Sequence, residues 1–168
     1  MPNWCDNDLY IEGPEADIRA FLGFAKGRMN EEELLLDFNK IVPMPKTVTT
    51  DMITEPWLKA MRLTAGQDGD LWYEWRLQYW GTKWQPQGVH IEEEKSDDQD
   101  STRRVKMVFD TAWSPPKPII VAASQLFPTL DFELRYFEAG CGFNGLFICR
   151  YGEVQSDQIG SYFGERGG

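Results

Sequence analysis

Apolar and polar residues alternate with period two over Leu130–Glu138, with Leu130, Phe132, Leu134 and Tyr136 interleaved by Asp131, Glu133 and Arg135. That spacing predicts a half-buried strand. Arg103–Thr111 repeats it, with Val105, Met107 and Phe109 on one side and Lys106 and Asp110 on the other. Val89-His90-Ile91-Glu92 alternates over a shorter span, and the two stretches predict a hairpin with a long acidic loop. Leu9–Gly13 predicts a short strand stopped hard at Gly13-Pro14. Gly145–Tyr151 predicts another, after a turn at Gly140-Cys141-Gly142. Helical spacing appears elsewhere. Ile18, Phe21, Leu22 and Ala25 follow Pro14-Glu15-Ala16-Asp17, a Pro and acid start, and Gly27 is expected to close that helix. Residues 56–64 place Trp57, Leu58 and Met61 on one stripe, and 71–79 predicts a second short helix ended by Gly81. A further helix is expected over 119–127, capped by Ser114 or its neighbours and stopped by Pro128. Residues 34–38 predict a strand or extended segment, and prolines 43 and 45 prevent a helix or central strand beyond it. The tail from Ser156 is glycine-rich and is expected to fray at its end.

The order is strand, helix, strand, a helical insertion, then strand, strand, helix, strand, strand. It predicts an α+β sandwich of the ferredoxin-like, split βαβ kind, with a mostly antiparallel sheet and helices on one face. The 168 residues suit one domain, 1–168, with a helical insertion at 46–88 that carries a Trp-rich segment. No internal repeat is present.

Composition narrows the classes. Hydrophobic residues make up 42% and aromatics 14%, enough to bury a core, so wholesale disorder is excluded. The longest apolar run, Ile119–Ala123, falls far short of the roughly twenty residues that span a bilayer. Met1-Pro2-Asn3-Trp4 has neither the basic nor the apolar region of a signal peptide, which predicts a cytoplasmic protein with no membrane association. Cys5, Cys141 and Cys149 are an odd set without Cys-x-x-Cys spacing, and His90 is the only histidine. Free thiols are expected, and neither a metal nor a cofactor. Net charge is −10, from 27 acids and 17 bases, which argues against direct nucleic-acid binding. Residues 86–102 alone carry six acids against one base.

Several words fall in order along nearly the whole chain: Met1-Pro2-Asn3-Trp4-Cys5-Asp6-Asn7, Phe38–Pro45, Trp72-Tyr73-Glu74-Trp75 with Trp80–Trp84, Thr111–Pro116, and Tyr136–Gly140 with Phe143-Asn144-Gly145. Together they resemble the YubB-like proteins of phages and plasmids, a family with a ferredoxin-like domain. Where that family tends to place Pro after the Glu of its Tyr-x-Glu word, this chain has Ala139. The resemblance implies the same fold and a mobile-element setting. It implies no catalytic residues.

Four of the seven tryptophans lie within 72–84. Trp80, Lys83 and Trp84, with Trp113 before a Pro-Pro corner, make one candidate recognition cluster. An indole face attracts the Lys83 ammonium, and Gly81 allows the turn between them. The alternative is a plug packing the insertion onto the sheet. The acidic loop offers a second candidate, Glu92, Glu93, Glu94, Asp97, Asp98 and Asp100. Spaced carboxylates imitate DNA phosphates, or else they keep an edge hairpin from pairing with its neighbours. His90 has no thiol placed beside it by any motif, no phosphate loop is present, and the acidic run lacks the pattern of a calcium loop.

These features favour a non-enzymatic accessory protein of a mobile element. It would bind a host or defence protein with a basic surface, through aromatic anchors and acidic steering, as an anti-restriction or anti-CRISPR nucleic-acid mimic does. Two alternatives stay open. One is a single-strand nucleic-acid binder that stacks bases on sheet aromatics. The other is an enzyme with a small-ligand pocket near Trp84, Trp113 and Glu138.

Overall fold

The computed structural model describes residues 2–65, 71–93 and 102–161. In chain order the elements are β1 (Trp4–Pro14), α1 (Glu15–Ala25), β2 (Gly27–Met29), β3 (Glu32–Leu34), α2 (Phe38–Ile41), α3 (Pro56–Ala65), α4 (Trp72–Tyr79), β4 (Gln87–Glu93), β5 (Thr102–Ala112), α5 (Lys117–Leu126), β6 (Asp131–Glu138), β7 (Phe143–Arg150) and β8 (Glu153–Ser161). Six strands form one sheet in the order β4-β5-β1-β6-β7-β8. Every neighbouring pair is antiparallel. The chain leaves β1 through α1 and returns at β4, leaving room for β5 between them. It leaves β5 through α5 and returns at β6. This is the split βαβ arrangement, doubled, and the fold is ferredoxin-like as the element order predicts. The β7–β8 meander extends it past β6.

Period-two alternation decides which side of the sheet is covered. Cys5, Asn7, Leu9 and Ile11 of β1 are buried, as are Val105, Met107, Phe109 and Thr111 of β5 and Phe132, Leu134, Tyr136 and Glu138 of β6. Ile18, Phe21 and Ala25 of α1 and Ile119, Ile120 and Ala123 of α5 cover this face. Phe21 meets Phe132 edge-on at 5.4 Å, and Phe38 meets Phe109 at 6.5 Å. Among the described residues no helix layer covers the opposite face, which carries charged residues. There Lys106 pairs with Glu92 at 3.2 Å and Arg150 with Asp131 at 3.1 Å.

Four local expectations are corrected. Residues 34–38 do not form one strand. β3 ends at Leu34, pairs with β2 in a separate two-stranded sheet, and α2 begins at Phe38. Asp37 drives the switch, because its Oδ1 accepts the Asn39 N–H at 2.9 Å and caps the new helix. Gly27 starts β2 instead of ending α1; a Cβ there would lie 2.6 Å from that of Asp37. Ser114 does not cap α5, and its hydroxyl donates instead to the Gly81 carbonyl at 2.6 Å. Finally, the tail is not irregular from Ser156, where a strand still runs over 156–161, while its end, 162–168, lies outside the described residues. That strand is β8, whose residues are nearly all exposed, so no apolar alternation announced it.

Candidate functional site

Tertiary pairing brings three tryptophans to one end of the sheet. Trp4 opens β1 and is in register with Ala112, the last residue of β5. Trp113 follows directly, and its N–H donates to the Asn3 carbonyl at 2.9 Å. The loop after α4 docks on the same corner. The Thr82 hydroxyl donates to the Ala112 carbonyl at 2.8 Å, and Ser114 closes onto Gly81. Gly81 has a φ of 78° and lies so close to Pro118 that a Cβ would sit 2.6 Å from its Cδ. That turn delivers Trp84 to Trp4, with ring centroids 6.3 Å apart. Lys83 holds its Nζ 4.9 Å from the Trp84 ring and 5.4 Å from that of Tyr73. Trp4 is 38% exposed and Trp113 is 44% exposed. Trp113 also has a φ of 72°, a left-handed conformation that is uncommon for a bulky side chain and costs on the order of 1 kcal/mol.

Trp80 does not share this surface. It is fully buried, its indole N–H donates to the Val42 carbonyl at 2.9 Å, and its ring packs on Phe38 and Trp75. The cation over it is Arg76, at 4.7 Å, not Lys83. One member of the predicted cluster is therefore the plug of the alternative reading, and the others stand at the corner. Trp4 and Tyr73 were missed as partners, because nothing local to residues 4 and 73 announces a strand register or a helix docking.

Glu138 is also buried. Its carboxylate accepts the Gly140 N–H at 3.0 Å and the Cys141 N–H, which ties down the β6–β7 turn. Cys5 is buried between strands, and its thiol is pushed up to about 12, chiefly by burial, with the neighbouring charges of Glu138 and Asp6 adding to it. A thiol so held is no nucleophile at neutral pH. Cys149 is buried too, and Cys141 is exposed. His90 lies exposed on β4, 3.5 Å from Glu92. Among the described residues no cluster of His, Cys, Asp or Glu is arranged to hold a metal ion.

Of the acidic candidates, Glu92 lies exposed on β4. Hydrogen bonding and charge from Lys106 hold its carboxyl below the usual range. Glu93 ends that strand. Glu94, Asp97, Asp98 and Asp100 lie outside the described residues. On the uncovered sheet face, Tyr10 is approached by Arg104 at 4.6 Å and Arg135 at 5.5 Å from the strands on either side. Those cations pair with Glu12 and Glu133. A base stacking on Tyr10 would have to displace them. Among the described residues no helix is long and apolar enough to cross a membrane.

Comparison with known proteins bears on the fold just described. A sequence model described as a ferredoxin-like domain in Api92-like protein matches residues 79–165, more than half of the chain. The chain belongs to this Api92-like family. The crystal structure of protein Api92 from Yersinia pseudotuberculosis superposes with a TM-score of 0.59, covering 98% of this chain and 99% of that one at 10% identity. At that identity the likeness to Api92 concerns the fold alone. The family matched is the Api92-like one, and none of these matches names the YubB-like group. A search of curated proteins finds no match.

Proposed function

We propose that this protein acts by binding, not catalysis, and that its contact surface is the corner formed by Trp4, Lys83, Trp84 and Trp113. The observation that carries the reading is that separate segments converge to leave indoles at the surface, one of them on a backbone conformation that side chains rarely adopt. Large aromatics with an exposed face are the usual anchors of protein interfaces. The partner is a host or defence protein with a basic surface. A net charge of −10 and the carboxylates of 92–100 supply attraction and orientation, in the manner of a nucleic-acid mimic. The sequence resemblance to phage and plasmid proteins supports an anti-defence setting in the bacterial cytoplasm.

Immobilised wild-type protein and a Trp84→Ala/Trp113→Ala variant, each exposed to lysate of the natural host, test this. Quantitative mass spectrometry is expected to find a basic protein retained by the wild type and depleted at least about tenfold on the variant, a loss of about 1.4 kcal/mol. Replacing the acids of 92–100 by Ser and Asn is expected to weaken the same capture most at low salt. Equal capture by wild type and tryptophan variant would refute the corner as the contact surface.

A further inference from the structure

The sheet ends at β4 on one side and β8 on the other, and the two edges differ. β4 is interrupted. Gly88 has a φ of 61°, and the pairing with β5 shifts register between Gln87 and His90. Such a bulge twists an edge away from an incoming strand. β8 runs nine residues; its pairing with β7 shifts register once, between Val154 and Ser156 near its start, and is then unbroken over the six residues from Ser156 to Ser161. It contains neither Pro nor Lys, the residues that commonly block an edge. Among the described residues its outer side has no strand neighbour.

The side chains of β8 point the same way. Val154 is in register with Cys149 and Ile159 with Gly145, which puts both on the helix-covered side of the sheet. Yet Val154 is 50% exposed and Ile159 is 68% exposed. The helix layer reaches this strand through α5, where Lys117 donates to Asp157 at 2.6 Å. Two apolar side chains therefore stand on a ledge where the sheet outruns its helices. The charged residues of the strand are Glu153 and Asp157, both acidic. An antiparallel second copy would bring acids against acids within a net charge of −10, which disfavours self-pairing. A strand bearing Lys or Arg would meet those acids favourably.

We infer that β8 is a docking edge for an extended basic segment of a partner protein, which adds to the sheet as one more strand. Main-chain hydrogen bonds along the unbroken stretch supply affinity, and Val154 and Ile159, on either side of Asp157, receive apolar side chains of the guest. The inference rests on the reading that the protein binds a basic partner, and it names where a strand of that partner attaches.

Amide hydrogen exchange on the full chain tests it, with a synthetic peptide of alternating Lys and Val as probe and an alternating Glu and Val peptide as control. Exchange in β8 is expected to slow about tenfold or more with the Lys peptide only, with β4 unchanged. A Val154→Lys/Ile159→Lys variant is expected to lose that protection while melting as the wild type does. Unchanged exchange in β8, equal slowing in β4, equal protection by the Glu peptide, or a dimer in sedimentation with β8 already protected would each overturn the inference. If the tryptophan variant loses the lysate partner while the β8 variant keeps it, the edge is refuted and the corner stands.

Discussion

Trp80 and Trp113 carry the same side chain in opposite settings, and their substitutions should separate packing from recognition. Trp80 is enclosed, hydrogen-bonded through its indole, and packed on Phe38 and Trp75. Trp80→Ala is expected to cost about 3–5 kcal/mol, read as a lower urea midpoint. Trp113 is partly exposed and held at a positive φ. Glycine adopts that conformation without strain, so Trp113→Gly is expected to leave stability unchanged or raise it by up to about 1 kcal/mol while partner capture is lost. A midpoint drop as large as that of Trp80→Ala would make Trp113 a packing residue. The sequence marks both residues as large aromatics beside turns. Burial separates them, and burial depends on Phe38, about forty residues away in the chain.

At the level of elements, the corner depends on one turn. The Gly81–Trp84 loop is held by Thr82 on Ala112 and by Ser114 on Gly81. Gly81→Ala would place a Cβ 2.6 Å from Pro118 Cδ and 3.0 Å from the Pro115 carbonyl, at a φ of 78°. It is expected to cost about 1–3 kcal/mol and to shift tryptophan fluorescence as Trp84 leaves Trp4. Unchanged emission and midpoint would show that the loop reaches its place without the glycine. The elements that the sequence reveals are those with a buried and an exposed side, such as β5, β6 and α1, because burial of one side writes a period into the residues. β8 has no such period, since both of its faces are wet, and the short β2–β3 pair is too brief to carry one.

For the whole molecule, alkaline pH should destabilise the fold through groups on its helix-covered face. Burial holds the Cys5 thiol up to about 12, from an ordinary value of 9.0. Below pH 9 both folded and unfolded chains keep that proton, so its contribution is fully present. Between pH 9 and 12 the unfolded chain loses it first, and stability falls by up to about 4 kcal/mol. Tyr136 is raised chiefly by burial. Burial opposes the charge on Lys117, but Asp157 and Tyr136 outweigh it and hold its pKa up, so both groups lose stability in the same direction. The urea midpoint is expected to decline from pH 9 upward, and Cys5→Ala to flatten that slope whatever it does to the midpoint at pH 7. An equal slope in both proteins would show that Cys5 is not the group responsible.

Sequence alone determined the α+β class and the strands and helices that bury one face, because period and breaker residues are local signals. It also set the charge and placed the large aromatics. Only the tertiary structure decided which indoles are enclosed, that Trp4 meets Trp84, that Glu138 fastens a turn, and that β8 ends the sheet among the described residues. Each of these turns on contacts between residues far apart in the chain, and no local pattern records such a contact.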